Sequence, residues 1–193
     1  MIAKGTQRIM SLYKLLSHHR NAIVKKWFTG IVGTYAPETA RLLEKESNQF
    51  ANPVGHTIRH GIQAVYDEFL RSLQPEKLVP HLDSIIRIRA VQEFSPAQAI
   101  SFVFLLKRIV REELKQDLHE NRISASELTA FDTRVDDLAL LAFNIYAQCR
   151  ERLFEVRLNE YKNRTNRLLQ RANLLAEIPE CHTVPEGINQ QQT

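Results

Sequence analysis

Cysteine, glycine and proline are all scarce in this sequence of 193 residues. The two cysteines, Cys149 and Cys181, lack the spacing of a structural zinc site, and two cysteines alone do not make a disulfide framework. The few prolines stand mainly where a helical pattern begins or after one ends. Because no glycine-bounded run alternates between β-branched and polar residues, the sequence predicts an all-α protein.

Long apolar runs are also missing. The most apolar stretch, from Ala97 to Leu106, has about half the length that a membrane-spanning helix needs. The N-terminus lacks the apolar segment of a secretory signal peptide. We therefore expect a cytoplasmic protein without membrane insertion.

Acidic residues are absent before Glu38, whereas six basic residues occur there. A second basic stretch, from Arg150 to Arg171, holds seven basic residues against three acidic ones. Basic segments attract phosphates and acidic partners, but a solvated helix face has the same composition. We do not expect nucleic acid to be a partner of this chain.

Motifs of enzymes and metal proteins are missing as well. The chain has no nucleophile motif, no glycine-rich phosphate loop, no HExxH and no EF-hand pattern, so we expect no enzyme and no resident cofactor. His56 and His60 are the best metal-ligand candidates, because their i, i+4 spacing places both rings on one helix face. Two ligands rarely hold a metal firmly, which favours a solvated face. An axial haem ligand among the seven histidines is the alternative, and it would make the domain a haem- or metal-binding sensor.

Helical spacing of apolar residues recurs along most of the chain. Two helices or one bent helix are predicted between residues 7 and 35, followed by a short helix from Pro37. A longer helix is predicted from Pro53, in which Gly61 would let another helix approach closely. The next helix is predicted to begin between Pro75 and Pro80.

Two serines mark the beginning of the last two long helices. Ser95 is followed by proline and then by Gln98, a spacing that predicts a capping box, and the helix after it is apolar nearly all round. We expect that helix in the centre of the domain. Ser124 and Glu127 predict a second capping box, and neither glycine nor proline follows until Pro179. One continuous helix is therefore predicted from Ala125 to about Ala172.

The second half of this helix is polar except for one line of residues, which we call the seam. Its mean period of 3.5 residues is typical of a left-handed coiled coil, so we expect it to pair in a homodimer. The alternative is a helix that folds back on its own domain. We predict a helical domain at 1–150, a coiled-coil-like helical extension at 151–178 and a flexible tail at 179–193. The seam consists of Phe154, Leu158, Tyr161, Thr165, Leu168, Ala172 and Leu175.

Arg89 lies on the apolar stripe of its helix, seven residues after Leu82 and four after Ile85. A buried guanidinium needs hydrogen-bond acceptors, and Glu93 stands at i+4 to supply one. Two interpretations stay open. Arg89 is either a polar switch or ligand anchor inside the bundle, or one half of a structural ion pair at the core edge.

Three segments of the sequence resemble a known family. The segments AIVKKWF at 22–28, FANPVG at 50–55 and RIRAVQEFSPAQAISFVFLLKRIVRE at 87–112 resemble the RsbRD-type N-terminal domain of RsbT co-antagonist proteins, over roughly residues 10 to 150. The characteristic positions that this resemblance assigns, whose physical roles are caps, core and one buried charge, are Trp27, Phe50, Asn52, Pro53, Arg89, Glu93, Phe94, Ser95, Gln98 and Lys107.

The resemblance implies a sensory module, related in role to the non-haem globin-like domain of RsbR-type stressosome proteins. It implies a globin-like fold or a compact helical bundle whose long C-terminal helix passes a signal to a partner protein. Co-antagonists of this family carry a phosphorylatable STAS domain after that helix, and this sequence ends where the STAS domain would begin. We therefore expect a sensor module that dimerises, binds a ligand or docks onto a signalling protein without a STAS domain of its own.

Overall fold

The computed structural model describes residues 11–45, 49–71 and 74–172. Every regular element in these ranges is an α-helix, which confirms the predicted all-α class with a long C-terminal helix. Leu175 of the seam and the segment 179–193 lie outside the described residues. The helices are α1 (Leu12–His18), α2 (Arg20–Val32), α3 (Pro37–Lys45), α4 (Pro53–Arg71), α5 (Pro75–Val91), α6 (Pro96–Glu113), α7 (Lys115–His119) and α8 (Ala125–Arg171).

Local signals in the sequence set the beginnings of these helices. Proline is the first residue of α3, α4, α5 and α6, where its missing N–H costs nothing. Both predicted capping boxes are confirmed. The Ser95 hydroxyl accepts from the N–H of Gln98 at 3.3 Å while the Gln98 side chain accepts from the N–H of Ser95 at 3.0 Å. Ser124 and Glu127 exchange the same two hydrogen bonds at the start of α8.

The core forms where α4 packs on α5 and α2 packs on α6. Gly61 lets α5 approach α4 as predicted, because a Cβ atom at this position would lie only 2.8 Å from Cγ1 of Ile85. Between α2 and α6, the buried Trp27 indole donates to the carbonyl of Phe102 at 2.7 Å, and the two rings stack with centroids 6.0 Å apart. The indole N–H is thereby satisfied inside the core.

Helix α6 is less central than its composition predicts. Its buried residues include Phe102 and Leu106, but Phe104 is 44% exposed and Leu105 is partly exposed. The expectation of an all-round buried helix is therefore wrong. The neighbouring elements cover only part of the helix circumference, and apolar composition alone does not show which side stays in water.

The described residues belong to two compact units, which meet in sequence between Leu153 and Phe154. Helix α8 contributes residues to both. All of its buried residues, from Phe131 to Cys149, belong to the first unit. Among the helices in the described ranges, none has both the length and the apolar character that a membrane crossing requires.

The contact between Gly61 and Ile85 leads to a stability prediction. Gly61→Ala should lower the free energy of unfolding by about 1–2 kcal/mol, because the overlap with Ile85 outweighs the higher helix propensity of alanine. Gly33→Ala is the matched control. The backbone of Gly33 is in the right-handed helical region, and a Cβ there would stay at least 3.4 Å from its neighbours, so this variant should be unchanged or slightly more stable. Urea denaturation measures both, and equal effects would contradict the predicted contact.

Candidate functional site

Arg89 lies in the last turn of α5 and its side chain is completely buried. The Nη2 atom donates to the hydroxyl of Thr34 at 3.1 Å and to the main-chain carbonyl of Gln98 at 2.9 Å. Thr34 follows α2, and Gln98 belongs to the first turn of α6. One guanidinium group therefore joins the end of α5 to the start of α6 and to the segment after α2, which lies 55 positions earlier in the sequence.

Three aromatic rings surround this guanidinium, and we call them the Arg89 cage. The Cζ atom lies 4.3 Å from the ring centroid of Phe94, 5.4 Å from that of Tyr35 and 5.8 Å from that of Phe102. The rings of Tyr35 and Phe94 also meet edge to face at 5.2 Å. Ring faces attract a cation, so the cage offsets part of the cost of burying this charge.

The groups that bind Arg89 are all neutral. Within the described residues, no hydrogen-bond partner is found for Nε of Arg89, and the buried hydroxyl of Tyr35 lies close enough to the guanidinium to interact with it. Burial lowers the pKa of Arg89. Burial also raises the pKa of Tyr35, although the positive charge of Arg89 opposes that rise. A buried cation without a carboxylate is costly, and such arrangements are concentrated at functional sites.

The predicted pairing of Arg89 with Glu93 is wrong. Helix α5 ends at Val91, and Glu93 follows with a φ angle of 62°, so the i, i+4 geometry of a helix does not extend to it. The Glu93 side chain is exposed, and Arg89 instead donates to Thr34 and Gln98. The structural ion pair proposed for Arg89 is therefore not formed with this residue.

Helix α8 binds directly to the segment that holds Arg89. The hydroxyl of Tyr146 donates to the carbonyl of Phe94 at 2.6 Å, and Nη1 of Arg150 donates to the carbonyl of Ala90 at 3.3 Å. The last carbonyls of a helix lack partners within that helix. Arg150 therefore satisfies the carbonyl of Ala90 at the end of α5, and Tyr146 satisfies that of Phe94 in the turn that follows. Both donors lie in the part of α8 just before Leu153, where the first unit ends.

The other family positions lie away from the cage or act locally. Asn52 is buried and caps α4, because its side chain accepts from the N–H of Gly55 at 2.8 Å and donates to the carbonyl of Leu43 at 3.1 Å. Phe50 is 94% exposed and so is not a core residue. Lys107 pairs with Asp136 of α8 at 2.7 Å. Trp27, through its stacking on Phe102, lies next to the cage.

His56 and His60 lie side by side on α4, with ring centroids 4.1 Å apart. In the described part of the chain, no group of three or more His, Cys, Asp or Glu side chains is arranged to hold a metal ion. The described histidines are all partly or fully exposed, so none of these six points into the core. The structure thus offers the metal alternative no third ligand from these residues, and it offers the haem alternative no interior histidine within them.

The described seam residues are all exposed. Phe154 is 66% exposed, Leu158 41%, Tyr161 69% and Leu168 58%, and Thr165 and Ala172 are exposed as well. Large apolar side chains in water at coiled-coil spacing are typical of a surface that binds another chain.

Sequence analysis missed the residues that complete the Arg89 site. Thr34 and Tyr35 lie more than 50 positions before Arg89, and Tyr146 lies more than 50 positions after Phe94. The sequence offered one weak signal. Tyr146 lies on the apolar face of α8, and a buried tyrosine needs a hydrogen-bond partner for its hydroxyl, but this requirement does not identify the partner.

The neutral surroundings of Arg89 lead to a prediction on stability. Arg89→Met should leave the free energy of unfolding within about 1 kcal/mol of wild type, because methionine fills similar space without a buried charge. Arg89→Ala should lower it by about 2–5 kcal/mol, because a cavity then replaces the side chain. Chemical denaturation of both variants checks this. Unfolding of the methionine variant would show that the charge itself holds the fold together.

Comparison with known proteins adds one finding to this geometry. A family model described as the RsbT co-antagonist protein rsbRD N-terminal domain matches residues 21–161. No curated protein and no solved structure matches the chain. The matched segment contains Arg89 with its cage, Tyr146 of α8 and the first part of the seam. Since the match covers well over half of the sequence, the chain belongs to the family of RsbT co-antagonist protein rsbRD N-terminal domains.

Proposed function

We propose that this domain is a non-catalytic sensory module of sigma-factor signalling that relays a signal from the Arg89 cage to α8 and onward through the seam. Family membership supports a regulatory role in such signalling. The family is of a regulatory type and is not known as catalytic. The finer parts of the proposal, a homodimer and a relay, depend on the contacts described above.

One observation carries the relay. The buried cation is bound only by neutral groups of the described residues, and the segment around it is hydrogen-bonded to α8 at two successive turns. A change in how Thr34, Gln98 or the rings hold the guanidinium would move the carbonyls of Ala90 and Phe94. Tyr146 and Arg150 would follow, because both donate to those carbonyls. A relay of this kind needs an element with two arrangements of similar energy, and a poorly compensated buried charge is suited to that role.

The seam supplies the output surface in this proposal. Four large apolar side chains of the seam are more than 40% exposed, although burying each would stabilise an assembly by about 1.5–3 kcal/mol. Two such helices bury these residues when they pair as a coiled coil. A second copy of the chain is the partner that we propose, and docking of another signalling protein on the same surface is the alternative.

The seam prediction concerns the mass in solution. The parent chain should have about twice its monomer mass in sedimentation or light-scattering measurements. The double variant Tyr161→Glu with Leu168→Glu should be a monomer, because a dimer would have to bury two added charges from each chain. The matched control is Asn163→Glu with Gln170→Glu, which adds the same charges at the same spacing on the opposite face of the helix. A monomeric parent, or a seam variant as dimeric as the control, would contradict the homodimer.

The relay prediction concerns coupling between Arg89 and Tyr146. Arg89→Met should change the dimer dissociation constant by about 5-fold or more, and the same substitution made in a Tyr146→Phe background should change it far less. Tyr13→Phe is the control, because the Tyr13 hydroxyl also contacts α8, through Nη1 of Arg134 at 2.9 Å, but at the far end from the cage. Fluorescence dilution assays on the four chains measure the cycle. Additive effects of the two substitutions would contradict a relay through Tyr146.

A further inference from the structure

A small cavity opens between α2 and α4, and none of the residues of the Arg89 cage lines it. Its volume is about 250 Å³, and its walls carry three basic side chains, Arg20, Lys25 and Arg59. The amides of Asn21 and Gln63 line it as well, and no carboxylate does. A second cavity of about 390 Å³ adjoins it and shares Arg20.

Arg20 contributes little free charge to this cavity. Its Nε and Nη2 atoms donate to the two carboxylate oxygens of Asp67 at 2.6 and 2.7 Å, a bidentate pair that neutralises the guanidinium. This hydrogen-bonded pair also raises the pKa of Arg20. The pair connects α2 to α4 and makes that end of the cavity rigid.

Arg59 and Lys25 are charged without compensation. Neither side chain has an ion-pair partner within 4.0 Å among the residues that the structure describes. The Arg59 guanidinium lies over the ring of Phe28, with Cζ 3.9 Å from the ring centroid. Its buried Nε has no hydrogen-bond partner within the described ranges. The contact with Phe28 thus holds Arg59 in place without an ion-pair partner for its charge among the described residues.

We propose that this cavity binds the phosphoryl group of a small phosphorylated molecule or free inorganic phosphate. Two uncompensated cations match the charge of about −1.5 to −2 that a phosphate monoester carries near neutral pH, whereas a carboxylate carries one charge. The fork of Arg59 presents parallel donors to phosphate oxygens, Lys25 adds a point charge, and Gln63 adds an amide donor.

The cavity is small and partly open to solvent. Pockets for drug-sized ligands begin at about 300 Å³, so the walls enclose a phosphoryl group with only a few more atoms, and the rest of a larger molecule would extend into solvent. The inference is independent of the proposed relay, although α2 carries both Phe28 under Arg59 and Trp27 beside the cage.

The test uses the full chain and inorganic phosphate as the probe. Calorimetry near neutral pH should show one phosphate site at millimolar concentrations, and sodium chloride of matched ionic strength should not reproduce the heat. Lys25→Gln and Arg59→Gln should each weaken phosphate binding about tenfold, the usual loss for a hydrogen bond to a charged group. Lys14→Gln removes an equally exposed charge outside the cavity and should bind phosphate like the parent chain.

Arg59→Lys keeps the charge but loses the fork, so we expect binding between that of the parent and that of Arg59→Gln. Because Lys25 is exposed, its variant retains the fold and keeps the test valid should Arg59→Gln unfold. Glycerol phosphate in place of inorganic phosphate distinguishes a phosphorylated metabolite from the free ion. Three results would overturn the proposal: no phosphate heat beyond chloride, parent-like binding by Lys25→Gln, or tighter binding of acetate than of phosphate.

Discussion

The hydrogen bonds of the buried Arg89 guanidinium join three parts of the first unit at one charge. One side chain on α5 donates both to the segment after α2 and to the first turn of α6, so a change at this charge would reach all three parts. Its charge is buried among neutral oxygens and three aromatic rings. A carboxylate would have made this a conventional ion pair. Without one among the described neighbours, the desolvation cost of this charge is offset only by neutral acceptors and ring faces.

The end of α5 connects this cluster to α8. The last carbonyl groups of a helix need donors from outside its hydrogen-bond ladder, and Arg150 donates to one of them, that of Ala90, while Tyr146 donates to the carbonyl of Phe94 in the turn after α5. The same bonds satisfy the backbone and position α8 one turn before Leu153. The two hydrogen bonds that satisfy these carbonyls are therefore also the contacts on which the proposed relay depends.

Two surfaces of the molecule contrast in the kind of interaction that they favour. The seam on the second unit carries large apolar side chains in water, which favours another helix of the same kind. The cavity between α2 and α4 carries cations on an apolar floor, which favours a small anion. The charged residues of the sequence did not indicate this cavity. Arg20 and Arg59 are alike in the sequence, and only the fold shows that Asp67 neutralises Arg20 and not Arg59.

The sequence by itself determined the helices, because the signals that begin a helix are local. Proline at the first position and the serine boxes at Ser95 and Ser124 act over three or four residues, so helix class, most of the helix starts and the glycine contact at Gly61 could be predicted. The burial of Arg89 could also be predicted from its helical stripe. Only the tertiary structure decided which atoms receive its hydrogen bonds. Glu93 was near in sequence but lay beyond the end of α5, whereas Thr34, Gln98 and Tyr146 were brought to the site by the packing of other helices. Periodicity indicates which face of a helix is buried, but the element that packs against this face depends on chain topology. The partners of Arg89 are therefore determined by the tertiary structure.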